Sequence, residues 1–407
     1  MLLSLLVYSV TGATLFFLGW HVNKREQQSL LNGGGKLPFY SWEILLSLVV
    51  FSVIAGARYH TGFDHAMYLE QYQHLQETGD FSRHNFEYGF EWISRLFAWC
   101  NIHYFFYFAF WALLQIGFLY FGLRNHKHLL CWVGLGIMCG SYFLWMMNSV
   151  RQAVVVCLFV ALVSFFSQFK DRSSHKNIFV LLFILSIVMM AAFIHKSALM
   201  LIAIFLFLFL IELLSKTKIS VGVPSKWIML SVFAVFVLLG AFPYWIDIFS
   251  NYQWFLDLTG YSNYGNLDDP NVGGQFKGFV PWGPSRLSSL IGSIAMILLY
   301  PQLRAHFKSD RQLPYFFLLA YIGMCVYFLL INTTHFILRP TDYFTIFYLI
   351  MSAYVMCYLI QTRKYVIGAG MALVFYSIFI INVYKAVYRP IVENQPFLYH
   401  FFFAPSL

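Results

Sequence analysis

The chain has 407 residues, of which 60% are hydrophobic, 21% aromatic and 11% charged, and its mean hydropathy is +0.68. A soluble domain carries about 25% charged residues, so a soluble enzyme and a disordered chain are both excluded. The apolar residues come in runs of roughly 17–25 rather than alternating with polar ones, which excludes a membrane barrel and points to an all-α polytopic membrane protein.

Twelve apolar runs follow one another at roughly 2–20, 39–56, 104–123, 129–147, 152–168, 177–194, 197–214, 227–245, 287–301, 313–331, 343–360 and 366–384. The first has no basic segment before it and no small-residue cleavage site after it, so it is expected to be a retained span rather than a signal peptide. The connecting segments alternate between two sides, one holding 16 Lys and Arg in short loops and the other 10 spread over longer ones. Short basic loops mark the cytoplasmic side, which places both termini outside the cytoplasm. The net charge of +9 is therefore a topogenic signal. It does not indicate nucleic acid as a partner, and no basic-aromatic patch of that kind is present. The expectation is a single integral membrane domain over residues 1–407 with about twelve transmembrane helices. Its two long loops, 57–103 and 246–286, face outward, and they carry Tyr, Trp, His, Asp, Asn and Gly.

Gly33-Gly34-Gly35-Lys36 resembles a phosphate loop only superficially, because Leu37 stands where Ser or Thr is required and no strand precedes it. The six cysteines are scattered, mostly within apolar runs, and form no CxxC pair. They read as small buried residues. No metal-ligand spacing is evident, so neither a metal nor a cofactor is expected. Asp268-Asp269, in a Gly-, Asn- and Pro-rich loop, reads as turn chemistry.

Five short constellations fall on the outward side. The first, Arg58 to Tyr68, contains Gly62, which allows a turn that aims Arg58 and Asp64 into one cleft; Asp64 and Tyr68 share a face if a helix resumes there. The second, Phe86-Glu87-Tyr88-Gly89-Phe90-Glu91-Trp92, interleaves carboxylates with aromatics, a composition suited to sugar rings. In the third, Asn148 or Ser149 caps a helix whose first turn holds Arg151 and Gln152. A guanidinium at a helix N-terminus is an anion site suited to diphosphate. The fourth is a minimal turn, His195-Lys196-Ser197, with Ser197 as the expected cap and His195 placed for acid–base work or phosphate contact. The fifth, Arg339-Pro340-Thr341-Asp342-Tyr343, again puts an arginine at the outer start of a span.

The order Arg58…Gly62-x-Asp64…Tyr68, Glu87-x-Gly89-Phe90, Arg151-Gln152, His195-x-Ser197-Ala198 and Arg339…Tyr343-Phe344 resembles the EpsG-type branch of the Wzy-like polysaccharide polymerases, from about residue 50 to 350. The resemblance implies a GT-C-like glycosyltransferase architecture in the bacterial cytoplasmic membrane. It also implies the joining of polyprenyl-diphosphate-linked repeat units on the outward leaflet, as in O-antigen, capsule or exopolysaccharide synthesis. The partners are then the lipid-linked donor and acceptor glycans and the surrounding lipid, with room for a chain-length regulator.

On this reading Arg58, Arg151 and Arg339 neutralise the departing diphosphate, with Tyr68, Gln152, Ser197 and Tyr343 lining the substrate site. Asp64, Glu87 and His195 are the candidates for the base, left unranked. The competing functions are a lipid-linked-glycan flippase or transporter and a membrane acyltransferase on surface polysaccharide. A transporter calls for ionisable groups near the bilayer midplane, whereas these charges lie at span ends.

The charge asymmetry is tested by accessibility. Cysteines introduced at Asn266 and Glu393 should react with a membrane-impermeant reagent added outside intact cells, and one at Ser173 should not. Labelling confined to Ser173 reverses the orientation.

Overall fold

The computed structural model describes residues 2–62, 64–82, 86–140, 142–168, 174–215, 224–242, 282–332, 339–378, 380–381, 383–384 and 398–403. Most of the loop 246–286, with Asp268-Asp269, lies outside them. The helices are α1 (Leu2–Leu31), α2 (Trp42–Ala57), α3 (His65–Thr78), α4 (Tyr88–Trp99), α5 (Tyr104–Gly122), α6 (Lys127–Cys139), α7 (Tyr142–Asn148) and α8 (Val150–Ser167). They continue with α9 (Ser174–Ala192), α10 (Met200–Ser215), α11 (Lys226–Ala241), α12 (Pro284–His306), α13 (Leu313–Leu329), α14 (Asp342–Gln361) and α15 (Tyr365–Tyr376). Short 3-10 turns, Lys196–Leu199 and Arg339–Thr341, lead into α10 and α14.

Among the described residues, six helical segments are long and apolar enough to cross a bilayer: α1, α5, α8, Lys196–Leu214, α12 and Arg339–Gln361. A seventh is reached if α6 and α7, bent by 67°, count as one. Five shorter apolar helices, α2, Ile178–Ala192, α11, α13 and α15, occupy the places of the remaining runs. The chain is thus a polytopic helical membrane protein.

Two helices stand inside the others. Of the apolar stretch of α8, 83% is buried by protein, and of Arg339–Gln361, 78%, against 28% for Lys196–Leu214. Helix α8 is built of Val, Ala, Ser and Cys among larger residues, which lets its neighbours approach closely; α5 and α14 lie along it. Gln115 of α5 is fully buried and donates to the carbonyls of Met146 and Val150, both at 3.1 Å, fixing the junction of α7 and α8.

Two features depart from the pattern of apolar runs. The loop 57–103 contains α3 and α4, whose mixed polar and aromatic sequence hides their helicity. The run 129–147 is continuous in composition, yet α6 stops at Cys139 with Gly140 as its C-cap; glycine costs about 1 kcal/mol relative to alanine inside a helix.

Buried polar contacts hold both ends of the helices. At one end Lys127 Nζ reaches Glu26 Oε2 at 2.5 Å and the Leu37 carbonyl at 2.7 Å, while Leu37 N donates to the same carboxylate at 2.9 Å. This extends α1 well beyond its apolar run. Also at that end, Asp310 accepts from Tyr354 OH at 2.5 Å and lies 3.2 Å from His126 Nδ1. At the opposite end residues 398–403 form a strap. Phe401 bridges antiparallel to Arg58, Tyr59 N donates to His400 O at 2.8 Å and Phe402 N to Ala57 O at 3.0 Å. Tyr399 OH donates to Ile54 O at 2.6 Å, Tyr399 N to Ser4 Oγ at 2.9 Å, and His400 N to Thr61 Oγ1 at 3.2 Å.

The contact between α1 and α6 requires Gly19, where a Cβ would collide with the backbone of Leu130 and Cys131; Gly117 of α5 faces nothing within 4 Å. Gly19→Val should therefore lower the thermal midpoint of the detergent-solubilised protein by an amount matching overpacking of about 1–3 kcal/mol. Gly117→Val should change it little. Equal midpoints for the two variants remove the close α1–α6 contact.

Candidate functional site

Four of the five constellations converge on a cluster centred on Glu87, and the first sits beside it. Glu87 is the N-cap residue of α4 with an extended backbone, so its side chain turns away from the helix it starts. Its Oε2 forms an ion pair with Arg151 Nη1. Its Oε1 lies 3.0 Å from His195 Nδ1 and accepts from the Lys196 backbone N–H at 3.1 Å. One carboxylate thereby joins α4, the first turn of α8 and the turn after α9.

Arg151 is held on its other sides as well. Its Nε donates to Tyr68 OH at 3.4 Å, and its guanidinium carbon lies 4.8 Å from the centre of the Phe86 ring and 5.3 Å from that of Phe90. Aromatic faces favour a cation over them. Tyr68 reaches this place because α3 begins at Asp64, its N-cap, and Tyr68 N donates to Asp64 O at 3.0 Å. Asp64 is thus placed one helical turn before Tyr68.

Gln152 and Ser197 carry the cluster toward α14. Gln152 Nε2 donates to the Arg339 carbonyl at 3.1 Å, and the Ser197 and Tyr343 hydroxyls lie 2.7 Å apart. Ser197, expected to cap a helix, is inside the 3-10 turn, whose N-cap is His195. Arg339 opens the turn before α14, close enough for its charge to bear on His195.

Arg58 occupies a separate buried pocket. Its guanidinium donates to the Ala55 carbonyl at 3.1 Å and the Met147 carbonyl at 3.4 Å, touches Met147 Sδ, and lies 4.8 Å from the centre of the Phe108 ring. Next to it, His65 is fully buried and accepts from the His60 N–H at 3.2 Å. Burial and the neighbouring Arg58 and His60 push the His65 imidazole down to about 2, so it is neutral. Gly62, at φ +94°, is packed against Asn148 Oδ1, which joins this turn to the end of α7.

The electrostatics of the cluster are one-sided. Burial raises the Glu87 carboxyl, but the hydrogen bond from His195, the Arg151 charge and the Lys196 N–H outweigh it and hold the group at about 2, so it is ionised. Burial lowers His195, and the charges of Arg151 and Arg339 lower it further, against the opposing pull of Glu87. The result is a neutral imidazole whose Nδ1–H points to a carboxylate and whose Nε2 has no hydrogen-bond partner among the described residues. That is the arrangement of a general base held in one tautomer.

Phe86 and Phe90 were read from the sequence as aromatics suited to sugar rings, not as the rings under the Arg151 cation, and neither the Lys196 N–H nor Met147 was singled out. In a chain with 46 phenylalanines a cation-bearing ring carries no distinguishing signal. The two carboxylates of the second constellation diverge: Glu87 is buried and Glu91 lines a surface groove. Among the described residues no three His, Cys, Asp or Glu lie close enough together to hold a metal ion.

A polytopic helical membrane protein with a buried arginine–carboxylate–histidine cluster at one end of its helices is the class that the fold and the site define. The chain belongs to the EpsG family, whose family model matches residues 42–401. EpsG is a Wzy-like polymerase-type family, so the chain has a glycosyltransferase-like, polysaccharide-polymerase-like function in polysaccharide biosynthesis. Comparison with curated proteins and with solved structures returned no match.

Because Glu87 is held below its ordinary value of 4.5, its ionic contacts contribute stability that is fully present above about pH 4.5 and is lost as pH falls toward 2. Glu87→Gln should flatten that part of the stability profile of the solubilised protein. At neutral pH the same variant leaves Arg151 buried without its counter-charge, which costs about 3–5 kcal/mol for a broken buried pair. Glu87→Gln/Arg151→Gln should recover part of the loss. A double variant no more stable than the single one excludes the pair as the source.

Proposed function

We propose that the protein is a polymerase that joins polyprenyl-diphosphate-linked oligosaccharide repeats on the outward leaflet of the bacterial cytoplasmic membrane. The reading includes twelve spans with both termini outside, which brings the Glu87 cluster to the outer surface. The observation that carries it is the single carboxylate tying Arg151 to His195, which puts an anion-binding cation and a neutral base side by side.

In the reaction, the bond between the donor's anomeric carbon and its diphosphate oxygen breaks, and the acceptor hydroxyl oxygen forms the new glycosidic bond at that carbon. The hydroxyl proton passes to His195 Nε2. The polyprenyl diphosphate leaves with its electron pair, stabilised by Arg151 and Arg339, whose fixed charges need little reorganisation as the negative charge grows. Glu87 fixes the His195 tautomer and stabilises the imidazolium, leaving the remaining Arg151 N–H groups for phosphate oxygens. The donor is already activated, so the step draws on neither nucleotide nor cofactor. Asp64 and Arg58 hold the turn that sets Tyr68 in place.

Purified protein incubated with lipid-linked repeats should give a ladder of products on sizing. Arg151→Lys should keep expression and folding yet lose most of the ladder, because an ammonium cannot reproduce a planar fork held against two rings and bonded to Tyr68 and Glu87. Glycans of near-normal length from Arg151→Lys at matched expression remove Arg151 from the site.

A further inference from the structure

Immediately beside the Glu87 cluster lies an open, largely apolar groove of about 450 Å³ lined by Tyr88, Gly89, Glu91, Trp92, Arg95 and Phe193. Tyr88 and Trp92 are one turn apart on α4, so their rings share a face, and they are 82% and 68% exposed. The floor is the hydrogen bond from Gly89 N to Phe193 O, 2.8 Å long. A Cβ at Gly89 would sit 2.8 Å from that carbonyl oxygen, so only glycine allows α4 and the end of α9 to meet so closely. Glu87 precedes this contact by two residues and His195 follows it by two, which places the groove beside the base.

The charges in the groove select among ligands. Arg95 is already neutralised, donating to Asp80 Oδ1 and to the Gly79 carbonyl, both at 2.6 Å. The Glu91 side chain has no hydrogen-bond or ion-pair partner among the described residues. An unpaired carboxylate repels a diphosphate but accepts strongly from hydroxyl groups, and two amphipathic aromatic faces suit the C–H face of a pyranose ring. We propose that this groove is a glycan subsite that holds a sugar of the acceptor repeat by stacking on Trp92 and Tyr88 and by hydroxyl donation to Glu91, and so presents the acceptor hydroxyl to His195. The inference rests on the polymerase reading for the role of the sugar, and on the groove alone for its binding.

The probe is the free, lipid-less oligosaccharide repeat released from the host's own polymer, titrated against the full chain in nanodiscs. Trp92→Ala should weaken binding about tenfold, Glu91→Gln should weaken it about tenfold through loss of a charge-assisted hydrogen bond, and Trp92→Phe should restore most of it. With lipid-linked substrates Trp92→Ala should raise the acceptor KM while leaving kcat nearly unchanged, whereas Arg151→Lys should lose most turnover and still bind the free repeat. No binding by the wild-type protein, or binding indifferent to Trp92 and Glu91, overturns the subsite and leaves Tyr88 and Trp92 as interfacial anchors in the membrane surface. Trp92-dependent binding without a product ladder upholds the subsite while the polymerase reading fails, so the two failures are distinguishable.

Discussion

The end of this protein that carries the candidate site depends on one buried carboxylate. Glu87 has two oxygens and three donors, and the donors come from α8 and from the turn that follows α9. An isolated carboxylate in an apolar setting is expelled or protonated; here the Arg151 charge and two further hydrogen bonds keep it ionised. The same contacts hold the Arg151 guanidinium and the His195 imidazole in one geometry relative to each other, which a reaction needing a cation and a base on either side of one carbon requires. Removing Glu87 therefore disturbs both partners together, and the functions of the three side chains do not separate into independent contributions.

The helical scaffold serves that arrangement by burying α8 and α14 inside the other helices. Arg151 sits on the first turn of α8 and Tyr343 on the first turn of α14, so the two most enclosed helices each carry a polar residue of the cluster. Gln152 and Ser197 then connect the two ends, one through the Arg339 carbonyl and the other through the Tyr343 hydroxyl. Side chains on packed helices hold geometry better than side chains on free loops.

Much of this was legible in the sequence, and for identifiable reasons. The apolar runs mark helices because the bilayer leaves the backbone few other ways to satisfy its hydrogen bonds. Arg151, His195 and Glu87 stood out because charge is scarce here and each sits beside a span end or within a polar turn. What could not be read was their mutual contact: nothing in the spacing of Glu87, Arg151 and His195 says that one carboxylate serves the other two. Helix α3 was hidden for a different reason, since its aromatic, histidine and acidic residues have only weak apolar periodicity, whereas α4 is strongly amphipathic but too short, and too mixed in composition, to register among the apolar runs. The break between α6 and α7 was masked by the apolar character of 129–147, in which Gly140, the C-cap of α6, does not stand out from Gly134 and Gly136.

The strap of residues 398–403 gives the protein a particular order of assembly. Thr61 accepts a hydrogen bond from His400, a residue 339 positions later, and the adjoining turn carries Arg58, Gly62 and Asp64. During synthesis at about 5–20 residues per second, that turn emerges roughly 20–70 s before the segment that pairs with it. The early helices therefore spend this interval in the membrane with the Ala57 carbonyl and the Tyr59 N–H lacking the partners they have in the finished fold. Completion of this turn is thereby coupled to the arrival of residues 398–403, so a polypeptide released from the ribosome before them lacks the contacts that set it.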